Sequence, residues 1–344
     1  MMSGHFSSLA YAYGLPTASG QLKQSPSDFI VTEQLSFEPS GDGEHLFVLI
    51  KKIGLNTLDV CEQLAKHFHV HPRNITYAGL KDKNAITTQW FCFPFPIKLT
   101  ADFNGFESES ITVVNAIRNT KKLKRGAIKA NKFEITLRNL SGELSNIEER
   151  IQLIKEHGVP NYFGAQRFGH NENNLVNVRK LFSGKIKCNR NKKSIYLSAA
   201  RSFLFNEVLS QRIKNNTWNQ FIDGDVAVLN NSRSFFVLDD VNAEIMQRLE
   251  QGDVHPSAPL WGKGEGISVG EANKQEMLIM ATHSEYSNGL VQQGLQQDRR
   301  ATRLFVNDLS YQFNDNNLIL SFSLLSGSYA TSVLREIINE VNFG

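Results

Sequence analysis

Apolar and polar residues alternate along much of the first third of the chain, the period-two signature of strands with one face buried. FIVTE at 29–33 and HLFVLIK at 45–51, separated by the turn-rich PSGDGEH, read as a hairpin. The period then changes. Leu58, Cys61, Leu64, Ala65 and Phe68 recur at spacings of three and four behind Asn56 or Thr57, either of which can cap a helix. Strand-like 75–77 and 89–93 bracket GLKDK, and 111–114 and 133–137 flank the basic run KKLKRGAIKANK at 121–132. A loop held between strands is a good place for chemistry.

Further on, Ser145 with Glu148 three residues later is a capping-box signature, continued by Ile147, Ile151 and Ile154 as an amphipathic helix. Helical patterns then dominate to about Arg303, notably over 197–213, with 223–238 the main strand-like stretch and a glycine-rich loop at 261–270. The C-terminal stretch returns to alternation at 304–313 and 318–324, before a helix carrying Val333, Leu334, Ile337, Ile338 and Val341. Two strands and one helix cannot bury a core alone, so this tail is expected to join the N-terminal sheet. The expected organisation is an α+β domain of 1–156 plus 306–344, with 157–305 inserted.

A length of 344 residues agrees with two domains at roughly 150 residues each. With 41% hydrophobic and 21% charged residues, the chain is neither disordered nor fibrous. The net charge of +3 demands no polyanionic partner, although local clusters could still form a basic face. No apolar run approaches the roughly 18 residues of a membrane span, so no membrane association is expected and the cytoplasm is the expected location. Cys61, Cys92 and Cys188 are far apart and read as reduced thiols. His67, His69 and His71 straddle a helix end without an acidic partner, so no metal is expected, and no phosphate-loop or dinucleotide motif suggests a cofactor.

The most distinctive stretch is YAGLKDKNAITTQW at 77–90, which sets Asp82 between Lys81 and Lys83. Flanking cations favour the ionised carboxylate and make Asp82 available as a nucleophile. Spacing alone favours a plain turn built by Gly79, Asp82 and Asn84 and leaves Asp82 a candidate.

GLKDKNAIT resembles the signature loop of the TruD family of transfer-RNA pseudouridine synthases. SPSDFIVTE at 25–33, ANKFEITLRN at 130–139, GVPNYFGAQRFG at 158–169, LSAARSFLFN at 197–206 and SGSYATSVLRE at 326–336 resemble further family motifs, in the family's order. Two positions depart from the expected pattern, Ala130 where glycine is usual and Ser326 where alanine is usual. The resemblance implies a catalytic domain with a mixed or antiparallel sheet and flanking helices, an inserted α+β domain, and a V-shaped molecule.

It also implies an isomerase that converts uridine-13 of tRNA to pseudouridine without a cofactor, through Asp82 as nucleophile. Phe29 and Tyr329 fall at substrate-contacting positions, and Asn131 where an amide can hydrogen-bond the base. By pattern alone these three read as a core residue, a helix-start residue and a turn residue. Lys23 falls near the same cleft and is expected to pair with Asp82, against the simpler reading of a solvated lysine. Lys81, Lys121, Lys122, Lys124, Arg125 and Lys132 are the expected RNA-backbone contacts, with Arg190, Lys192 and Lys193 a weaker second cluster. A monomer is expected. The competing classes are a non-catalytic RNA-binding protein and an RNA hydrolase using Asp82 as a base.

Overall fold

The structure is a computed structural model that describes residues 4–124, 126–230, 232, 234–339 and the main chain of 341–343. It is α+β, and it divides into two compact units: Met1–Ser19, Gly142–Val306 and Ser328–Val341 in one, Gly20–Ser141, Asn307–Gly327 and Asn342–Gly344 in the other. Among the described residues no helix is long and apolar enough to cross a membrane.

The second unit is built on a sheet in the order Asn307–Asn314, Asn317–Leu325, Ile128–Ser141, Phe29–Leu35, Ile86–Pro94, His45–Ile53, Ile111–Asn119. Neighbours on this path are antiparallel except Phe29–Leu35 with Ile86–Pro94, which run parallel, so the sheet is mixed. The hairpin expected from 29–33 and 45–51 does not form, because Ile86–Pro94 lies between those strands. Its consecutive Trp90, Phe91, Cys92 and Phe93 are all buried, and a strand apolar on both faces belongs in the middle of a sheet. The C-terminal hairpin does join the N-terminal sheet, pairing Leu318 with Leu137 through to Leu325 with Ala130.

One face of this sheet is covered by the helix Thr57–His67, whose Val60, Cys61, Leu64 and Ala65 pack on Leu46, Val48, Ile50, Phe91 and Phe93. Leu58, expected in that stripe, is 53% exposed, and Val60 takes its place. Truncating Leu64 to alanine here would cost about 2–5 kcal/mol.

The first unit centres on the helix Arg190–Lys214, which buries Leu204, Phe205 and Leu209 among Asn173–Phe182, Gly270–Thr282 and Ser284–Gln292. Beside it lies an antiparallel sheet in the order Phe235–Val237, Val226–Leu229, Val254–Leu260, Asp298–Ala301. Val254–Leu260 falls where helical patterns were expected to dominate, and it is a strand although its Pro256 and Pro259 lack the N–H that a ladder uses.

These units cut the chain elsewhere than the expected 1–156 plus 306–344 against 157–305. Arg150 shows why: its buried guanidinium donates to the main-chain oxygens of Tyr13 and Gly14 at 3.1 Å each and of Glu336 at 2.9 Å, tying both ends of the chain to the helix Leu144–His157. That helix starts one residue before Ser145, with Glu143 at the cap position, so Ser145 lies inside it and caps nothing. The last helix, Ala330–Ile337, stops before Ile338, which is extended, and Val341 lies in the short strand Val341–Phe343.

Candidate active site

The pleat puts Phe29, Val31 and Glu33 on one face of their strand, the face shared by Asn131, Phe133 and Ile135 of the next strand. Cross-strand pairing brings Thr87 beside Lys52, and Gln89 beside Ile50, on the face that carries the helix Thr57–His67. Loop 78–85 runs over this surface between Thr76–Tyr77 and Ile86–Pro94.

Buried polar groups hold the loop. Gln89 Nε2 donates to the main-chain oxygen of Gly79 at 2.5 Å, and Thr57 Oγ1 accepts from the Lys81 N–H at 2.9 Å while donating to Gln89 Oε1 at 3.0 Å. The Lys52 ammonium, fully buried, donates to the main-chain oxygens of Leu55 at 2.6 Å and Asp82 at 3.0 Å. Burial pushes Lys52 down to about 8, with Asp82 opposing and Lys81 adding to the shift.

Lys23 and Asp82 meet as the sequence suggested: Lys23 Nζ lies 2.8 Å from Asp82 Oδ2, and 4.2 Å from the centre of the Phe29 ring. Lys23 sits at φ 60°, a left-handed conformation that costs a residue with a Cβ roughly 1–3 kcal/mol, and it aims the ammonium at the carboxylate. Phe29 is 6% exposed, with its ring edge-on to Phe133 at 6.1 Å, so it forms the floor beneath Lys23. Just before it, Asp28 accepts from the Ser25 N–H and from Arg138 Nε at 2.8 Å. Burial alone would raise the Asp28 carboxyl, but these hydrogen bonds bring it below the usual range.

Asn131 lies in a strand rather than a turn, and its Oδ1 accepts from Lys81 Nζ at 2.8 Å. The same ammonium lies 2.8 Å from Oε1 of the buried Glu33, whose Oε2 accepts from the Trp90 N–H at 3.0 Å. Burial raises the Glu33 carboxyl, and Lys81 opposes the rise. Lys81, expected on the RNA backbone, is therefore corrected to an inward-facing member of this network. Of the other expected backbone contacts, Lys121, Lys122 and Lys124 are exposed, and Arg125 lies outside the described residues. Lys132 is exposed too, but strand alternation turns it to the face opposite Asn131.

Tyr329 belongs to the other unit, where its hydroxyl accepts from Arg167 Nη2 at 2.6 Å and Nε at 3.0 Å. Arg167 Nη1 also donates to Ser198 Oγ at 3.1 Å, and Asn206 clamps the main chain of Phe163 with two bonds of 2.9 Å. The motif stretches at 158–169 and 197–206, and 328–336 of the last one, thus converge in this unit.

Glu33, Lys52, Thr57, Gln89 and Arg138 were not singled out as site residues from the sequence. Glu33 and Arg138 fall inside quoted motifs, and Lys52 and Gln89 are polar residues at inward positions of otherwise apolar strands, the signal that could have marked them. Among the described residues no group of three or more His, Cys, Asp or Glu is placed to hold a metal ion.

A relative from Methylococcus capsulatus named tRNA pseudouridine synthase D is 44% identical over 344 residues, covering 98% of this chain and 97% of its own. One of the same name from Shewanella oneidensis is 45% identical over 333 residues, covering 97% of this chain and 90% of its own. A solved Methanosarcina mazei structure shares the fold, with a TM-score of 0.75 at 21% identity over 96% of each chain. The model of the family described as tRNA pseudouridine synthase D (TruD) matches residues 6–187 and 185–337, and with relatives this similar the chain belongs to that family.

Proposed function

We propose that this protein is a tRNA pseudouridine synthase that isomerises uridine-13 of tRNA, with Asp82 as nucleophile and no cofactor. The observation that carries the mechanistic part is the 2.8 Å pair of Lys23 with Asp82 on a loop whose main chain is itself anchored. A carboxylate fixed in this way is pre-aimed, and less of the barrier goes to orienting it.

The target base must first leave its stack, at a cost of roughly a few kcal/mol. Asp82 then bonds to the nucleoside, the N1–C1′ bond breaks, the base turns, and C5 bonds to C1′. The aspartate departs, the C5 proton is lost and N1 gains one, so the reaction is a net isomerisation. In this reading exposed Lys121, Lys122 and Lys124 supply phosphate contacts, and the protein is taken to act on its tRNA in the cytoplasm as a monomer.

Tritium release from C5-labelled uridine in unmodified tRNA tests the proposal. Release by the parent and none by Asp82→Asn is the expected result. Release by both would remove Asp82 from the chemistry, and silence from both would refute the synthase reading.

A further inference from the structure

An ammonium has three hydrogens and no acceptor site, so whichever Asn131 atom lies 2.8 Å from Lys81 Nζ must be the carboxamide oxygen. This fixes the flip of the amide on chemical grounds. Lys81 cannot easily turn away, because Glu33 Oε1 lies 2.8 Å from it, and Glu33 is buried and further held by the Trp90 N–H. Removing a cation from a buried carboxylate is strongly unfavourable. Glu33 and Asn131 are register partners on adjacent strands, so the backbone sets their spacing. With its oxygen committed inward, Asn131 has the NH2 group left to offer, and Asn131 is only partly buried.

We infer that Asn131 reads the target base as a hydrogen-bond donor to the C4 carbonyl of uracil, and that Lys81 and Glu33 are positioning residues holding its carboxamide in that orientation. The inference rests on the synthase reading above and specifies how that site selects its base. Uracil suits a fixed donor for a reason specific to this reaction. Exchanging N1 and C5 is a half-turn about the axis through N3 and C6, and that turn carries O2 to the place O4 has left. A donor aimed at one carbonyl therefore meets an acceptor before and after the turn. Cytosine has an amino group at C4, which would face the Asn131 NH2 donor to donor.

The test measures binding of two tRNA transcripts, with U or C at the target position, to protein silenced by Asp82→Asn. The U form should bind roughly tenfold tighter, the discrimination a single well-placed hydrogen bond supplies. Adding Asn131→Asp leaves one oxygen for Lys81 and turns an acceptor outward, so the preference should shift toward C. Adding Lys81→Met frees the amide to flip and should reduce the preference below about threefold, whereas Lys81→Arg, still donor-only, should retain most of it. Affinity for the C form in Lys81→Met that is no lower than in the Asp82→Asn background reports that the variant is folded. A U preference that survives intact in both Asn131→Asp and Lys81→Met would overturn the inference. A parent that releases no tritium would instead sink the synthase reading, so the two failures are distinguishable.

Discussion

The ammonium of Lys52 donates to the main-chain oxygen of Asp82 at 3.0 Å from a fully buried position. Lysine placed there carries a desolvation cost that a methionine would not, so its presence points to a role for the loop it holds. Lys52→Met should leave thermal stability at pH 7 near that of the parent, because the lost hydrogen bonds and the relieved burial of charge offset each other. The same change should lower kcat by at least roughly tenfold, because the Asp82 main chain loses its anchor. A variant as active as the parent would refute this.

The same lysine gives a pH dependence of definite sign. Burial lowers Lys52 to about 8 in the fold, whereas in the unfolded chain it stays protonated to about 10.4. Between these values the unfolded state binds a proton that the native state lacks, so stability rises with pH across that window. Below pH 8 both states are protonated and the native state bears the whole cost. The neutral amine keeps two N–H groups, enough for both the Leu55 and Asp82 carbonyls. Melting temperatures of parent and Lys52→Met compared from pH 7 to 10 should diverge in the parent's favour as pH rises. A constant difference would show that Lys52 does not titrate there.

Of the two caps the sequence offered, Asn56 takes the position, and the Thr57 hydroxyl instead bridges the Lys81 N–H and Gln89 Oε1 at 2.9 and 3.0 Å. Thr57→Val keeps the shape and removes both bonds, leaving a buried amide oxygen short of a donor. Chemical denaturation should show a loss of about 1–3 kcal/mol, accompanied by a fall in kcat. A stable variant with full activity would show that the loop is held without Thr57.

The Lys23–Asp82 pair is partly solvated, with the Asp82 side chain 35% exposed, so its contribution to stability should be small. Its effect should fall on turnover. Lys23→Met should reduce kcat by roughly a hundredfold with KM changed far less, since the ammonium aims the reacting group rather than binding RNA. An equal loss in KM alone would reassign Lys23 to substrate binding.

Asp82, Phe29 and Asn131 could be singled out because each sits in a quoted motif, and Lys23 because it falls just before one, but what each touches could not be read from the sequence. Lys81 looked like a surface cation, since sequence spacing cannot show that Glu33, 48 positions earlier, waits at the end of its reach. The hairpin expected from 29–51 failed for a related reason: local turn signals cannot reveal a strand arriving from position 86 to separate its arms. The tail could be placed on the sheet because two strands need a partner to bury their face. The membership of the helix Leu144–His157 rests on Arg150 reaching main-chain oxygens at both ends of the chain, which no local pattern encodes.

Lys121, Lys122 and Lys124 are exposed and have no ion-pair partner among the described residues, and Leu123 between them is buried and roots the segment in the sheet. Cations on an anchored segment form a lasting positive patch at little entropic cost, the arrangement suited to displacing counterions from an RNA backbone. Replacing all three by glutamine should weaken tRNA binding at low salt and make the slope of log K against log salt shallower by up to about two to three. Turnover at saturating tRNA should hold, because none of the three bonds to the Asp82 loop. A salt slope equal to the parent's would show that the RNA does not cross this segment, and unchanged affinity at every salt concentration would leave the patch as a solvated face.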